Sequence, residues 1–426
     1  MTRRPHSSTR IGKSSAANML RGLRMVATCC AFAGLLAAAA PALAQDPLPP
    51  SSDPFYTYDD DSADAEPGTV LRTRTVPLAA ATPALPLPVN GIQLLYRTTG
   101  QTGQPSLAAT TVIQPANPGG NPKIVSFQNF YDALGSQCNP SYSLRGGGNI
   151  NEYGRYVDLG VISHYLSAGY TVVVPDYETT DLAFGAGRQA GHATLDGIRA
   201  AQRQLAADPA QTPVVMIGYS GGSIATEFAT EAAANGYAPE LNIIGVAEGG
   251  LPVDYQHAID YMNGTKDWSR VIPLILGGVS RGYGIDLDPY LSDFGKRVMH
   301  DVQNRCLETV DYTLSIQDLL LPQYQQYMRV PELAHMLTDT RMSAPADPKA
   351  PMFVMIGNSD GYGDGVMAAG DERDLARGYC GKGVPVQFRE LTIDHKATGL
   401  QFMAAAAPFV DERFNQAPAT NDCAVI

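Results

Sequence analysis

Apolar and polar positions along this chain fall into two rhythms. At residues 68–76, 91–99, 107–114 and 123–127 the apolar residues form short runs rich in Val, Ile, Leu and Thr, bounded by Pro and Gly clusters. Runs of that composition predict strands. The first three alternate in part, which fits an antiparallel start to a sheet. After residue 170 the strands become nearly unbroken apolar stretches, at 171–174, 213–217 and 241–246, and helical patterns separate them at 192–205 and 222–234. Unbroken strands alternating with helices predict a parallel sheet covered on both faces. From 252 to 346 the alternation stops, and Tyr, Met and Leu recur at helical spacing, as in 310–320 and 331–337, which predicts a helical insertion of roughly ninety residues. Strand patterns return at 351–356 and 384–391, and a helical segment at 397–407, expected to stop at Pro408, closes the chain. The prediction is an α/β fold: a mostly parallel central sheet built from 45–251 and 347–426, with a helical cap inserted at 252–346.

Residues 1–44 stand apart. They carry six Arg or Lys, no Asp or Glu, an apolar run from 25 to 40, and then Pro41-Ala42-Leu43-Ala44. A basic leader, an apolar stretch and small residues at an Ala-x-Ala-like site predict a secretory signal peptide cleaved after Ala44. The expected location is therefore secreted or periplasmic, with no stable membrane span once the signal is gone. Its removal takes the formal charge of the chain from −12 to −18. So acidic a surface argues against nucleic acid and anionic lipid as partners, while leaving neutral esters and oil surfaces open. The acidic run 59–61 reads as a solvated approach to the domain. Cys138, Cys306, Cys380 and Cys423 remain after cleavage; four cysteines in an exported chain form a disulfide set with three possible connectivities. No Cys-x-x-Cys spacing suggests zinc, and no cofactor motif is present.

Gly218-Tyr219-Ser220-Gly221-Gly222 matches Gly-x-Ser-x-Gly, but so do 278–282 around Ser280 and 357–361 around Ser359. Chemistry chooses among them. A nucleophilic serine needs a sharp strand-to-helix turn with small neighbours. The N–H that follows it must lie at a helix N-terminus, aimed at a developing oxyanion. Only Ser220 lies between a buried-strand pattern and a helix opening. Ser280 sits within the helical insertion, and Ser359 leads into a glycine-rich stretch. The strand–serine–helix turn resembles that of the α/β hydrolases, and the resemblance implies that the acid and then the base come later in the chain. His395, between the last strand and the last helix, is the expected base; His335 sits in an insertion helix. Asp360, just past the strand 351–356, is the first choice for the acid, with Asp364 its rival and Glu248 a distant third.

With these residues in place the chain resembles the secretory lipase family, the Candida lipase A type. The resemblance rests on Asp53-Pro54-Phe55-Tyr56, Pro67-Gly68-Thr69-Val70, Tyr131-Asp132 ahead of Cys138-x-Pro140-Ser141-Tyr142, Leu195-Asp196-Gly197-Ile198-Arg199-Ala200, Gly218 to Gly222, and the order Asp360 then His395. It covers most of the chain after residue 44. It implies an α/β-hydrolase fold, a triad of Ser220, Asp360 and His395, an oxyanion hole from Asp132 and the Gly221 backbone, and a cap carrying the acyl passage. It also favours the pairs Cys138–Cys306 and Cys380–Cys423. Two stretches depart from the family pattern: Gly361 to Gly365 is longer and richer in glycine, and Glu178-Thr179-Thr180 stands where a glycine is expected, so substrate access there is expected to differ.

The expected reaction is acyl transfer from a carboxylic ester to water through Ser220, needing no metal or organic cofactor. Within enzymes the competing expectations are a short-chain or polymer esterase, an acyltransferase and a peptidase. Outside enzymes the competitor is a catalytically inactive relative that binds a lipid or a protein. Oligomeric state is not encoded in any of these patterns.

Overall fold

A computed structural model describes residues 46–58, 62–80, 82–148, 152–348 and 350–426. The expected signal peptide and the acidic run 59–61 lie outside the described residues. Nine strands form one sheet: β1 (Val70–Ala79), β2 (Pro86–Thr99), β3 (Pro105–Ile113), β4 (Ile124–Gln128), β5 (Thr171–Pro175), β6 (Pro213–Tyr219), β7 (Asn242–Gly249), β8 (Met352–Gly357) and β9 (Val386–Leu391). Their spatial order is β1-β2-β3-β5-β4-β6-β7-β8-β9. The pairs among β1, β2, β3 and β5 are antiparallel, and every pair from β5 to β9 is parallel.

The first two strands run through prolines that were expected to bound them. Pro77 lies at a register irregularity on β1, the sheet edge, where a missing N–H removes no ladder bond of consequence. Pro86 of β2 pairs only toward β1, and Pro88 falls in the register irregularity, because pairing with β3 begins at Gly91.

Among the described residues there are eleven α-helices: α1 (Pro140–Ser143), α2 (Glu152–Ser167), α3 (Gly187–Gln204), α4 (Gly221–Ala234), α5 (Tyr255–Met262), α6 (Val271–Tyr283), α7 (Asp293–Val302), α8 (Ile316–Leu319), α9 (Pro331–Thr338), α10 (Ala369–Gly381) and α11 (His395–Phe414). Alternation within the unbroken strands divides the core in two. Val214 and Met216 of β6 join Ala193, Ile198, Ile224 and Phe228 of α3 and α4 on one face. Val215 and Ile217 join Ile162 and Tyr165 of α2 with Phe402, Phe409 and Val410 of α11 on the other. That is why these strands read as continuous apolar runs.

Two helix expectations are corrected. Pro408 does not stop the last helix, which continues to Phe414. An interior proline costs about 3 kcal/mol. Burial of Phe409, Val410 and Phe414 beyond it returns about 1.5–3 kcal/mol each. Residues 310–320 were expected to be helical, but within them only the single turn of α8 is, with a short 3-10 turn at Leu307–Thr309 just ahead of them. Val310, Leu314, Ile316 and Leu319 are buried all the same. Side chains take up the backbone donors that a helix would have used: the Leu314 N–H donates to Ser269 Oγ at 3.1 Å and the Ile316 N–H to Asn263 Oδ1 at 2.8 Å. Helices α2 and α10 were not anticipated. No helix among the described residues is long and apolar enough to cross a membrane.

The disulfides are Cys138–Cys306 and Cys380–Cys423, closing separations of 168 and 43 residues. Loop entropy sets their upper worth at roughly 5 and 4 kcal/mol. The first also flanks a bridge between Ala133 and Cys306. We expect the Cys138→Ala/Cys306→Ala double variant to lower the denaturant midpoint more than Cys380→Ala/Cys423→Ala. Equilibrium unfolding of both variants checks this, and the reverse order would contradict it.

Candidate active site

Strand β6 ends at Tyr219 and α4 begins at Gly221, so Ser220 alone makes the turn, at φ 56° and ψ −126°. A non-glycine residue with that backbone is strained and persists only when its surroundings over-determine it. Here they do. The Ser220 N–H donates to the Gly249 carbonyl of β7 at 2.9 Å, and the Ser220 carbonyl accepts from the Ser223 N–H. The glycines are set by close approach. A Cβ on Gly222 would lie 2.0 Å from the Gln128 carbonyl oxygen, and one on Gly221 would lie 1.6 Å from Asp132 Oδ1.

His395 is the first residue of α11 and is almost fully buried. Its Nε2 is 2.7 Å from Ser220 Oγ and its Nδ1 is 2.6 Å from Asp364 Oδ2. A carboxylate at Nδ1 selects the tautomer with its proton there, leaving Nε2 to accept from the serine hydroxyl. Two aromatic side chains hold the ring. Tyr219 packs against it at 5.0 Å while its hydroxyl donates to the His395 carbonyl at 2.8 Å, and Trp268, the one tryptophan of the chain, stands edge-on at 5.3 Å. Gly250 leaves the room the ring needs, since a Cβ there would lie 2.8 Å from His395 Cε1.

The acid expected at Asp360 is corrected to Asp364 as the carboxylate the structure brings to His395. Asp360 is exposed, accepting from the Tyr362 and Gly363 N–H groups and from the Tyr261 hydroxyl. These bonds, the Gly363 N–H first, hold its pKa below the ordinary carboxylate value. In that position it caps the turn that sends the chain back. Gly361 and Gly365 take positive φ, Gly363 bridges to Ala368, and a Cβ on Gly363 would lie 2.0 Å from the Met367 carbonyl oxygen. Asp364 thus ends up buried. Its Oδ1 accepts from the Val366 and Met367 N–H groups at 3.0 and 2.8 Å, and its carbonyl accepts from the His395 N–H at 2.9 Å.

Glu248 is placed elsewhere, buried against Glu227, and burial pushes its pKa up to about 8. Ser280 sits inside α6, donating to the Gly277 carbonyl at 2.9 Å, and Ser359 donates to the Gly363 carbonyl at 3.3 Å. His335 stacks edge-on with Tyr283. None of these reaches Ser220 or His395.

Asp132 follows β4 with φ 28° and lies over Gly221. Neighbours on both sides clamp it: its carbonyl accepts from the Leu307 N–H at 3.1 Å, the Ala133 N–H donates to Glu178 Oε1 at 3.1 Å, and the Leu134 N–H donates to the Arg305 carbonyl. Glu178, one of the two departures from the family pattern, therefore supports the Asp132 backbone. Burial, reinforced by Glu308 and opposed by His395, raises the Asp132 pKa to about 7. Sequence reasoning flagged Glu178 only as a departure affecting substrate access, not as a support of Asp132, and it missed Trp268 and Glu308, for which no motif gives a local signal.

A family model for secretory lipases matches residues 148–422. A Mycobacterium tuberculosis protein named "Probable inactive lipase" is 32% identical, over 88% of this chain and 84% of its own. Lipase 10 of Candida albicans is 31% identical over 88% and 83%. The crystal structure of Candida antarctica lipase A superposes with a TM-score of 0.79 at 27% identity, covering 89% of each chain. The fold is that of the α/β hydrolases. On the extent of the family match, the share of each chain aligned with these relatives and the arrangement around Ser220, this chain belongs to the secretory lipase family.

Proposed function

We propose that this protein is an exported serine ester hydrolase, a lipase or carboxylesterase working through an acyl-enzyme on Ser220. The observation that carries the reading is the unbroken hydrogen-bond chain Ser220–His395–Asp364, with distances of 2.7 and 2.6 Å. His395 Nε2 takes the hydroxyl proton as Ser220 Oγ attacks the ester carbonyl, and Asp364 stabilises the imidazolium. The Gly221 N–H at the start of α4 and the Asp132 segment supply donors to the oxyanion. Collapse expels the alcohol, which takes its proton from His395, and water repeats the cycle on the acyl-enzyme. Residues 252–346 act as a cap over the site. Export rests on the leader 1–44, with cleavage after Ala44, and the two disulfides fit an oxidising compartment. The relative named an inactive lipase makes an inactive binding protein the competing reading, against which the intact chain of three groups stands.

Labelling with a fluorophosphonate probe, run beside ester hydrolysis, tests the reading. We expect Ser220→Ala to abolish both, and Ser280→Ala and Ser359→Ala to keep both. A wild-type protein that neither labels nor hydrolyses any ester would overturn it.

Asparagine substitutions separate the two aspartates. Asp364→Asn should cut kcat by about 10⁴ with KM little changed, because the imidazole loses its fixed tautomer. Asp360→Asn should leave kcat within about tenfold and act mainly on the thermal midpoint. Equal kcat losses in both would argue against Asp364 as the orienting acid.

The Asp132 carboxyl gives a pH signature. Its raised pKa keeps it protonated, and so a donor, below about pH 7. Above that pH it becomes an anion facing the oxyanion. kcat/KM should therefore fall by about tenfold per unit as pH rises beyond about 7. Asp132→Asn, whose amide donates at every pH, should lose that limb; an unchanged alkaline limb in the variant would remove Asp132 from the oxyanion role.

A further inference from the structure

Two cavities meet at Ser220, and Asp132 and Trp268 stand where they join. The larger, about 440 Å³, is lined by Phe130, Val157, Leu307, His395, Lys396 and Leu400. The smaller, about 20 Å³, is a slot among Gly221, Ile224, Tyr255, Met262, Val271 and Ile275. The chemistry of the tetrahedral intermediate assigns them. Its carbon carries Ser220 Oγ, the oxyanion, the leaving oxygen and the first acyl carbon. The leaving oxygen must reach His395 Nε2 to collect its proton. His395 lines the larger cavity and not the slot, whereas Gly221, whose N–H faces the oxyanion, lines the slot. The alcohol therefore lies in the large cavity and the acyl chain enters the slot.

From this we infer that the enzyme is selective for short acyl groups, on the order of two to four carbons, carried on a bulky alcohol. A volume near 20 Å³ holds little more than one water-sized group. The far wall is held in place. Tyr255 is fully buried and its hydroxyl donates to the Gly185 carbonyl at 2.9 Å. Helix α6 lies so close to the segment behind it that a Cβ on Gly278 would come within 2.1 Å of the Phe184 carbonyl oxygen. A chain that outgrows the slot must displace packed groups, and one surplus methylene in an apolar pocket costs roughly 10- to 200-fold in specificity. Val271 and Ile275, one helical turn apart on α6, present buried side chains that narrow the slot.

This inference rests on the functional reading above, and the experiment separates the two. p-Nitrophenyl esters with acyl chains of two to twelve carbons hold the alcohol constant and are assayed as monomers. We expect kcat/KM to peak at acetate to butyrate and to fall by about tenfold or more at octanoate. Ile275→Ala should raise the octanoate-to-butyrate ratio by about tenfold, and Val271→Ala gives the same reading should the first variant fail to fold, with the thermal midpoint followed in both. Octanoate turned over within tenfold of butyrate by the wild-type protein would overturn the inference, placing the acyl chain in the larger cavity while leaving the hydrolase reading intact. An unchanged ratio in folded variants would also overturn it. Failure to hydrolyse every ester, together with failure to label Ser220, overturns the hydrolase reading and this inference with it.

Discussion

The hydrogen bond between His395 Nδ1 and the buried carboxylate of Asp364 constrains more of this molecule than any other single contact. A carboxylate with 1% of its surface exposed needs donors, and three converge on it: the imidazole N–H and the Val366 and Met367 amides. To supply those amides the chain after β8 must double back within a few residues. The glycines at 361, 363 and 365 and the Asp360 cap make that turn possible. To supply the imidazole, α11 must begin at His395, with its first N–H on the Asp364 carbonyl. Gly250, just past β7, must stay bare so that the ring fits. Loop, helix start and strand end thus answer to one buried charge.

The serine on the other side of the imidazole depends on the sheet instead. Its strained turn is held by a bond to β7 and by contacts with the chain after β4, so the two neighbours of β6 both take part. The Asp132 segment is likewise held from outside, by Glu178, by the Leu307 amide and by the Cys138–Cys306 bridge. Under the proposed function, rigid supports of this kind would hold the nucleophile and the oxyanion donors in place without reorganisation during reaction.

Behind the site lies a group of buried acids. Glu227 receives the Tyr379 hydroxyl and faces Glu248, while Glu372 accepts from the Leu251 N–H. Burial pushes the pKa of Glu227 and Glu372 well above the ordinary glutamate value, and that of Glu248 up to about 8.

Much of this arrangement was legible in the chain itself. The parallel strands were readable because burial on both faces demands unbroken apolar runs, as in Val214 to Ile217. Ser220 was readable because a strained turn between a strand and a helix tolerates only small neighbours, and His395 because its place between the last strand and last helix is a matter of order. Those are local constraints, written within a few residues of the position they govern. Tertiary structure decided the rest. Asp360 and Asp364 are four residues apart with the same side chain, and which one reaches His395 depends on how a glycine-rich turn closes against Met367 and a helix thirty residues on. Pro408 lies inside a helix because Phe409 and Phe414 find a sheet to pack on, and residues 310–320 form only one short helical turn, with Ser269 and Asn263 taking up the Leu314 and Ile316 amides. The size of the slot beside Ser220 is set by Tyr255, Val271 and Ile275, whose identities mean nothing until separate elements bring them together. Short-range sterics and burial periodicity are properties of the sequence; the partner of a buried charge and the volume of a cavity belong to the packed molecule.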